Sequence, residues 1–146
     1  MQTFLPYSNF KKSAQALDRL RLGKQRVECL QILDTLLNNK KAWSNHPAVK
    51  MWRGKEVTLF VYATCICNEW TRRGYKDTCL NKMANLILIH LQKFGFSNHD
   101  HPAEFLGNRK FHLSHKSNLI RKFPEHYRLI FGLDIPDNLE YIWSVK

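Results

Sequence analysis

Apolar residues recur at helical spacing along most of the chain, and no stretch alternates with the period of two expected of a half-buried strand. From Ala14 to Leu37 the positions Leu17, Leu20, Val27, Leu30, Leu33 and Leu37 predict one long helix. Ser13 supplies its N-cap, Asn38-Asn39-Lys40-Lys41 its stop, and Gly23 a mild interior cost. After a loop carrying Trp43 and His46, Pro47 opens a second helix over 48–73, with Trp52, Leu59, Tyr62, Ile66 and Trp70 inward and Gly74 as C-cap. A third helix starts at Asp77 or Thr78, keeps Leu80, Met83, Ile87, Leu91 and Phe94 inward, and ends at Gly95.

The segment 97–110, rich in His, Asn, Pro and Gly, reads as a surface loop with one turn near 103–105. A short fourth helix fits 117–122, Pro124 opens a further turn through Tyr127 to Phe131, and the tail 134–146 brings Tyr141 and Trp143 back against the body. Residues 1–12 contain Pro6 and lack a helical period, so they form an extended N-terminal arm. The expected fold is therefore all-α: a single compact domain, 1–146, of three long helices plus a short C-terminal helix and the arm. No repeat or low-complexity tract asks for a second domain.

Charge narrows the partners. Lys and Arg outnumber Asp and Glu by 23 to 12, a net charge of +11, and the excess is spread from Lys11 to Lys122 rather than held in a tail. A basic folded surface favours a polyanion, because neutralising several phosphates releases their condensed counterions. Double-stranded DNA is the expected partner. No run approaches the roughly 18 apolar residues of a membrane span, and the first residues have no signal-peptide pattern, so an intracellular monomer without a membrane partner is expected. Cys29, Cys65, Cys67 and Cys79 lack zinc-ribbon spacing and read as reduced, mostly core thiols. No cofactor is expected either. There is no Gly-rich phosphate loop, nucleophile elbow or dinucleotide fingerprint, and His99, Asp100, His101, His112 and His115 lack the helical spacing of a metal set.

Three segments carry candidate chemistry. Asp18, Arg21, Gln25 and Glu28 are spaced three, four and three apart and share one helical stripe, with Lys24 beside Glu28. One carboxylate among cations places a negative charge beside a sugar while Arg21, Lys24 and Arg26 hold phosphates. The same spacing also describes a solvated face with a Lys24–Glu28 ion pair. The helix end Glu69-Trp70-Thr71-Arg72-Arg73-Gly74-Tyr75 offers Arg72 and Arg73 to phosphates, or complements its own helix dipole. Ahead of the fourth helix, His115, Lys116, Ser117, Asn118 and Arg121 form either a second DNA contact or a polar surface loop.

The pattern Leu22-x-x-Gln25-x-x-Glu28 behind a short arm resembles the phage and chlorovirus pyrimidine-dimer DNA glycosylases of the endonuclease V type, which carry Leu-x-x-Glu-x-x-Glu there. Glu69-x-x-x-Arg73-Gly74-Tyr75 is similar to their Glu-x-x-x-Arg-Gly-Phe. Pro124-x-x-Tyr127-Arg128-x-x-Phe131-Gly132 is similar to their Pro-x-Trp-Tyr-Lys-x-Tyr-Tyr-Gly, and order and approximate spacing agree over most of the chain. The resemblance implies an all-helical base-excision enzyme that cleaves the glycosidic bond of a damaged base and, as an AP lyase, nicks the strand through an imine. It makes Glu28 the catalytic residue that positions or stabilises the sugar intermediate, and puts Tyr127 near the DNA.

Two departures bear on mechanism. The viral enzymes lose the initiator Met and attack with the amine of the following Thr, whereas the bulk of Gln2 favours retention of Met1. The nucleophile is then the amine of Met1, the amine of Thr3 after trimming, or Lys24. An ordinary α-amine titrates at roughly 7.7–8.0 and a lysine near about 10.4, so an N-terminal amine is the better nucleophile at neutral pH. Arg21 stands where the family has His, and Val27 where it has Arg, which leaves the identity of the damaged base open. Two other classes fit the same charge pattern: a non-catalytic helical DNA-binding protein, and a hydrolase of RNA or free nucleosides.

Overall fold

The N-terminal arm is shorter than the sequence suggests, because Asn9 rather than Ser13 caps the first helix: its side chain accepts from Lys12 N. In the computed structural model, which describes residues 1–144, seven helices follow in order: α1 Phe10–Ala16, α2 Arg19–Leu37, α3 Pro47–Trp52, α4 Glu56–Arg72, α5 Cys79–Phe94, α6 Arg109–Lys122 and α7 Pro124–Phe131. Among the described residues there is no strand, and one apolar core runs through all seven helices, so the all-α, single-domain reading holds. The last two residues of the expected tail, Val145 and Lys146, lie outside the described residues.

Two of the expected long helices are each broken in two. Leu17 and Asp18 are extended, and Asp18 recaps the chain by accepting from Arg21 N while its own N–H donates to Tyr127 Oη at 3.0 Å. A contact 109 residues away thus stops α1 and starts α2, which helical periodicity cannot register. Between α3 and α4 the break falls at Gly54, whose φ of +78° is open to glycine at little cost. The fourth helix begins eight residues earlier than expected, because Asn108 caps it by accepting from Phe111 N.

α2 is central, packing on both α4 and α5, while α1 lies on α4 and α6 on α7. Its buried face is Leu22, Gln25, Glu28, Cys29, Ile32, Leu33 and Leu36, whereas Leu20 and Val27, expected inside, are exposed. The helix is rolled so that a polar pair faces inward, and the arm explains how. Phe94 is likewise exposed at the end of α5. The four cysteines are free; Cys29, Cys67 and Cys79 are buried and Cys65 half-buried. Burial pushes the Cys29 and Cys67 thiols up, away from reactivity.

Gly23 has a packing role. A Cβ there would meet two ring atoms of Trp70 at 2.9 Å. That indole has no room to retreat, since it stacks on Tyr75 at 4.3 Å, lies under the Arg26 guanidinium at 4.4 Å and donates to Lys76 O. Gly23→Ala gains up to about 1 kcal/mol in helix propensity but overpacks this contact by about 1–3 kcal/mol. The expected result is a lower melting temperature, and a rise would show that α2 and α4 can separate freely.

Candidate active site

The arm runs through the protein with its backbone hydrogen bonds made to side chains. Gln25 does most of this: its Oε1 accepts from Phe4 N at 2.8 Å and its Nε2 donates to Gln2 O at 2.7 Å, as a paired strand would. A carboxylate at position 25 has no such donor, which gives this chain's amide a physical purpose. Tyr62 Oη donates to Phe4 O, Leu5 N donates to His115 Nδ1, His112 Nδ1 donates to Leu5 O, and Tyr141 Oη donates to Thr3 O. Side chains from α2, α4, α6 and the tail therefore fix the backbone of residues 2–5.

What this clamp positions is the first residue. The backbone N of Gln2 donates to Glu28 Oε2 at 3.0 Å, Gln25 Nε2 lies 3.5 Å from the same oxygen, and Lys24 Nζ is 3.6 Å from Glu28 Oε1. Glu28 is only 7% exposed, yet it lines a cavity of about 220 Å³ together with Gln2, Phe4, Leu20, Arg21, Lys24 and Lys122. Met1 is half-buried against the core at this end of the arm. Arg21 is held by Asp18 at 3.1 Å. Burial alone would raise Asp18, but hydrogen bonds from Tyr127 and Arg21 overcome it and keep the carboxyl below its usual range.

The other expected site residues fall elsewhere. Thr3 is fully buried, its hydroxyl donating to Met51 Sδ and accepting from Trp52 Nε1. Arg26 turns to Asp77 at 2.5 Å. Arg73 pairs with Glu69 and donates to the carbonyls of Ala14, Gln15 and Leu17, so it ends α1 instead of presenting its charge to solvent. Arg72 is exposed and pairs with the same Glu69.

The expected phosphate loop is the interior of α6. His115 is fully buried, accepting from Leu5 N and donating to Ile142 O, and burial lowers it to about 3, so it stays neutral. Ser117 and Arg121 tie down the tail: Ser117 Oγ accepts from Leu139 N, and Arg121 donates to the carbonyls of Asp137 and Leu139. Asn118 is half-buried, and Lys116 lies over the Tyr7 ring at 4.5 Å. Tyr127, expected near the DNA, is buried, with its hydroxyl donating to Asp18. His115, Ser117 and Arg121 turn inward because the tail and arm cover surface that a loop reading leaves open.

Lys122 went unnoticed in the sequence because it meets Lys24 across nearly a hundred residues, and no local spacing reports that. Among the described residues no three His, Cys, Asp or Glu side chains are grouped to hold a metal ion. His112 and His115 bind the arm, while His99 pairs with Glu56 at 3.0 Å and His90 at 2.8 Å.

A helical body of charge +11, with a buried carboxylate in a cationic cavity beside the first residue, has the makings of an enzyme acting on a sugar-phosphate polymer. The sequence model of the pyrimidine dimer DNA glycosylase family matches residues 1–83, more than half of the chain, and the protein belongs to that family. Neither the curated proteins nor the solved structures gave a match. The chain is thus a DNA glycosylase with DNA as its substrate. Among the described residues no helix is long and apolar enough to cross a membrane.

Proposed function

We propose that the chain cleaves the glycosidic bond of one pyrimidine of a dimer by attack of the Met1 α-amine on deoxyribose C1′, and then nicks the strand as an AP lyase. The carrying observation is the 3.0 Å contact from Gln2 N to Glu28, which puts the start of the chain beside the carboxylate. The amine adds to C1′ as the C1′–N bond breaks; that bond's electron pair goes to the base, which takes up a proton and stays tethered to its neighbour through the cyclobutane ring. Loss of a proton from the amine and opening of the C1′–O4′ bond give the imine. Removal of a C2′ proton then expels the 3′-phosphate and breaks the strand.

In this reading Glu28 steadies the positive charge on the sugar, while Arg21, Lys24 and Lys122 hold the flanking phosphates around the cavity. Trimming to Thr3 would discard both Gln2 bonds, to Glu28 and to Gln25, which supports Met1 over Thr3. Lys24 is the second candidate, being exposed and paired with Glu28.

Borohydride trapping on labelled duplexes carrying a thymine dimer or an abasic site tests this directly. The expected result is a covalent adduct on both, mapped by peptide sequencing to Met1 and accompanied by nicking, with thymine freed from the cleaved dimer duplex on photoreversal of the cyclobutane ring. An adduct on the peptide containing Lys24 would move the nucleophile there. Glycosidic-bond cleavage on the dimer duplex without any adduct would make the enzyme a monofunctional glycosylase in which water attacks.

A further inference from the structure

We propose that Leu20 is a wedge: it enters the base stack at the damaged step and holds the duplex open while the attacked sugar sits in the Glu28 cavity. The proposal rests on the glycosylase reading only in seating that sugar beside Glu28.

Helical spacing puts Leu20 inside, yet it is 69% exposed. With Gln25 and Glu28 taking the inner face of α2 against the arm, the outer face carries Leu20, Lys24 and Val27, spaced four and three apart. Of the two exposed apolar residues on that face, Leu20 lines the Glu28 cavity and Val27 does not.

A lone exposed leucine is ordinary on a protein surface. This one shares its cavity with three cations, Arg21, Lys24 and Lys122. Cations there meet phosphates, whereas a branched apolar side chain offers a phosphate nothing and gains only by leaving water. The apolar surface of a duplex lies between its base pairs, and apolar side chains enter it where two steps part.

The reaction creates such a parting. Glu28 is only 7% exposed, so deoxyribose C1′ reaches it by entering a cavity of about 220 Å³. A sugar drawn in there pulls its nucleotide out of line and breaks the stack with the next base pair. An unfilled gap between base pairs forfeits its dispersion contacts, and the isobutyl group of Leu20 restores them. The wedge is also firmly mounted. Asp18 caps the start of α2, holds the Arg21 guanidinium at 3.1 Å and donates its own N–H to Tyr127 Oη at 3.0 Å.

Single-turnover glycosidic-bond cleavage is measured on two thymine-dimer duplexes. One has adenines opposite the dimer; the other has a pair of tetrahydrofuran residues there, so its step is already unstacked. Leu20→Ala should slow cleavage of the paired duplex about tenfold or more and leave the opened duplex within twofold. Leu20→Met should keep most of the rate on both, and Val27→Ala should leave the ratio of the two rates unchanged. An equal fall on both duplexes would make Leu20 only a wall of the cavity, and no fall on either would remove it from the reaction; each result overturns the wedge. Fluorescence of 2-aminopurine beside the dimer, at saturating protein in the Glu28→Gln background, reads the opening without the chemistry. It should rise on binding, and fail to rise once Leu20→Ala is added. That rise can survive a failure of borohydride trapping, and can be absent when trapping succeeds, so the two proposals fall separately.

Discussion

Glu28→Gln should lower the rate of glycosidic-bond cleavage by about 100- to 1,000-fold, the range for removing a preorganised electrostatic group at a charged intermediate, while DNA affinity stays equal or rises. Both halves follow from the geometry. The carboxylate is 7% exposed and already accepts from Gln2 N, so the amide, of nearly the same shape, keeps the arm bond and loses only the negative charge. That charge is what a cationic sugar needs and what approaching phosphates oppose. Single-turnover glycosidic-bond cleavage, read as thymine freed on photoreversal, and a filter-binding titration on the same dimer duplex measure the two effects. A variant that cleaves the glycosidic bond at the normal rate would remove Glu28 from the reaction, and parallel loss of binding and cleavage would make it a structural residue.

Trp52→Ala should cost about 3–5 kcal/mol of folding stability, a large share of the roughly 5–15 kcal/mol that a domain of this kind has. Trp52 is fully buried, stacks near Tyr62 with ring centroids 6.1 Å apart, meets Phe105 edge-on at 5.1 Å and donates to Thr3 Oγ1 at 3.0 Å. Removing it leaves a void under the arm and takes a donor from a buried hydroxyl, so the melting temperature should fall by about 10 °C or more. Trp52→Phe retains most of the ring and should cost less. Below its melting temperature, Trp52→Ala should also form the borohydride adduct poorly, because the clamp that aims Met1 is loosened. A melting shift below about 3 °C would show that the arm and α3 are not coupled through this residue.

The pattern of apolar spacing was enough to read an all-helical chain, and it placed the inner faces of α3, α4 and α5 well: Trp52, Leu59, Tyr62, Ile66, Met83 and Ile87 are all buried. It did not show that two long helical stretches are four helices, because α1 and α2 share one period and part only where Tyr127 reaches Asp18. It also put Leu20 and Val27 inside. Periodicity ranks faces by apolarity, and the face that won is the one where Gln25 and Glu28 find partners in the arm. Once those polar groups are satisfied, burying them costs little.

The sequence by itself determined what is local or additive: helical content, helix starts such as Pro47, the charge that favours a polyanion, and the Leu22-x-x-Gln25-x-x-Glu28 stripe that resembles a family's. Only the tertiary structure decided which charges remain free. Arg73 and Arg121 resemble phosphate ligands in the chain, yet in the fold they donate to backbone carbonyls. Lys122, far along the chain, joins Lys24 at the Glu28 cavity, and Trp43 is left exposed. A side chain's local sequence sets its chemistry, whereas whether that chemistry faces the core or the solvent depends on partners that only the folded chain brings within hydrogen-bonding distance.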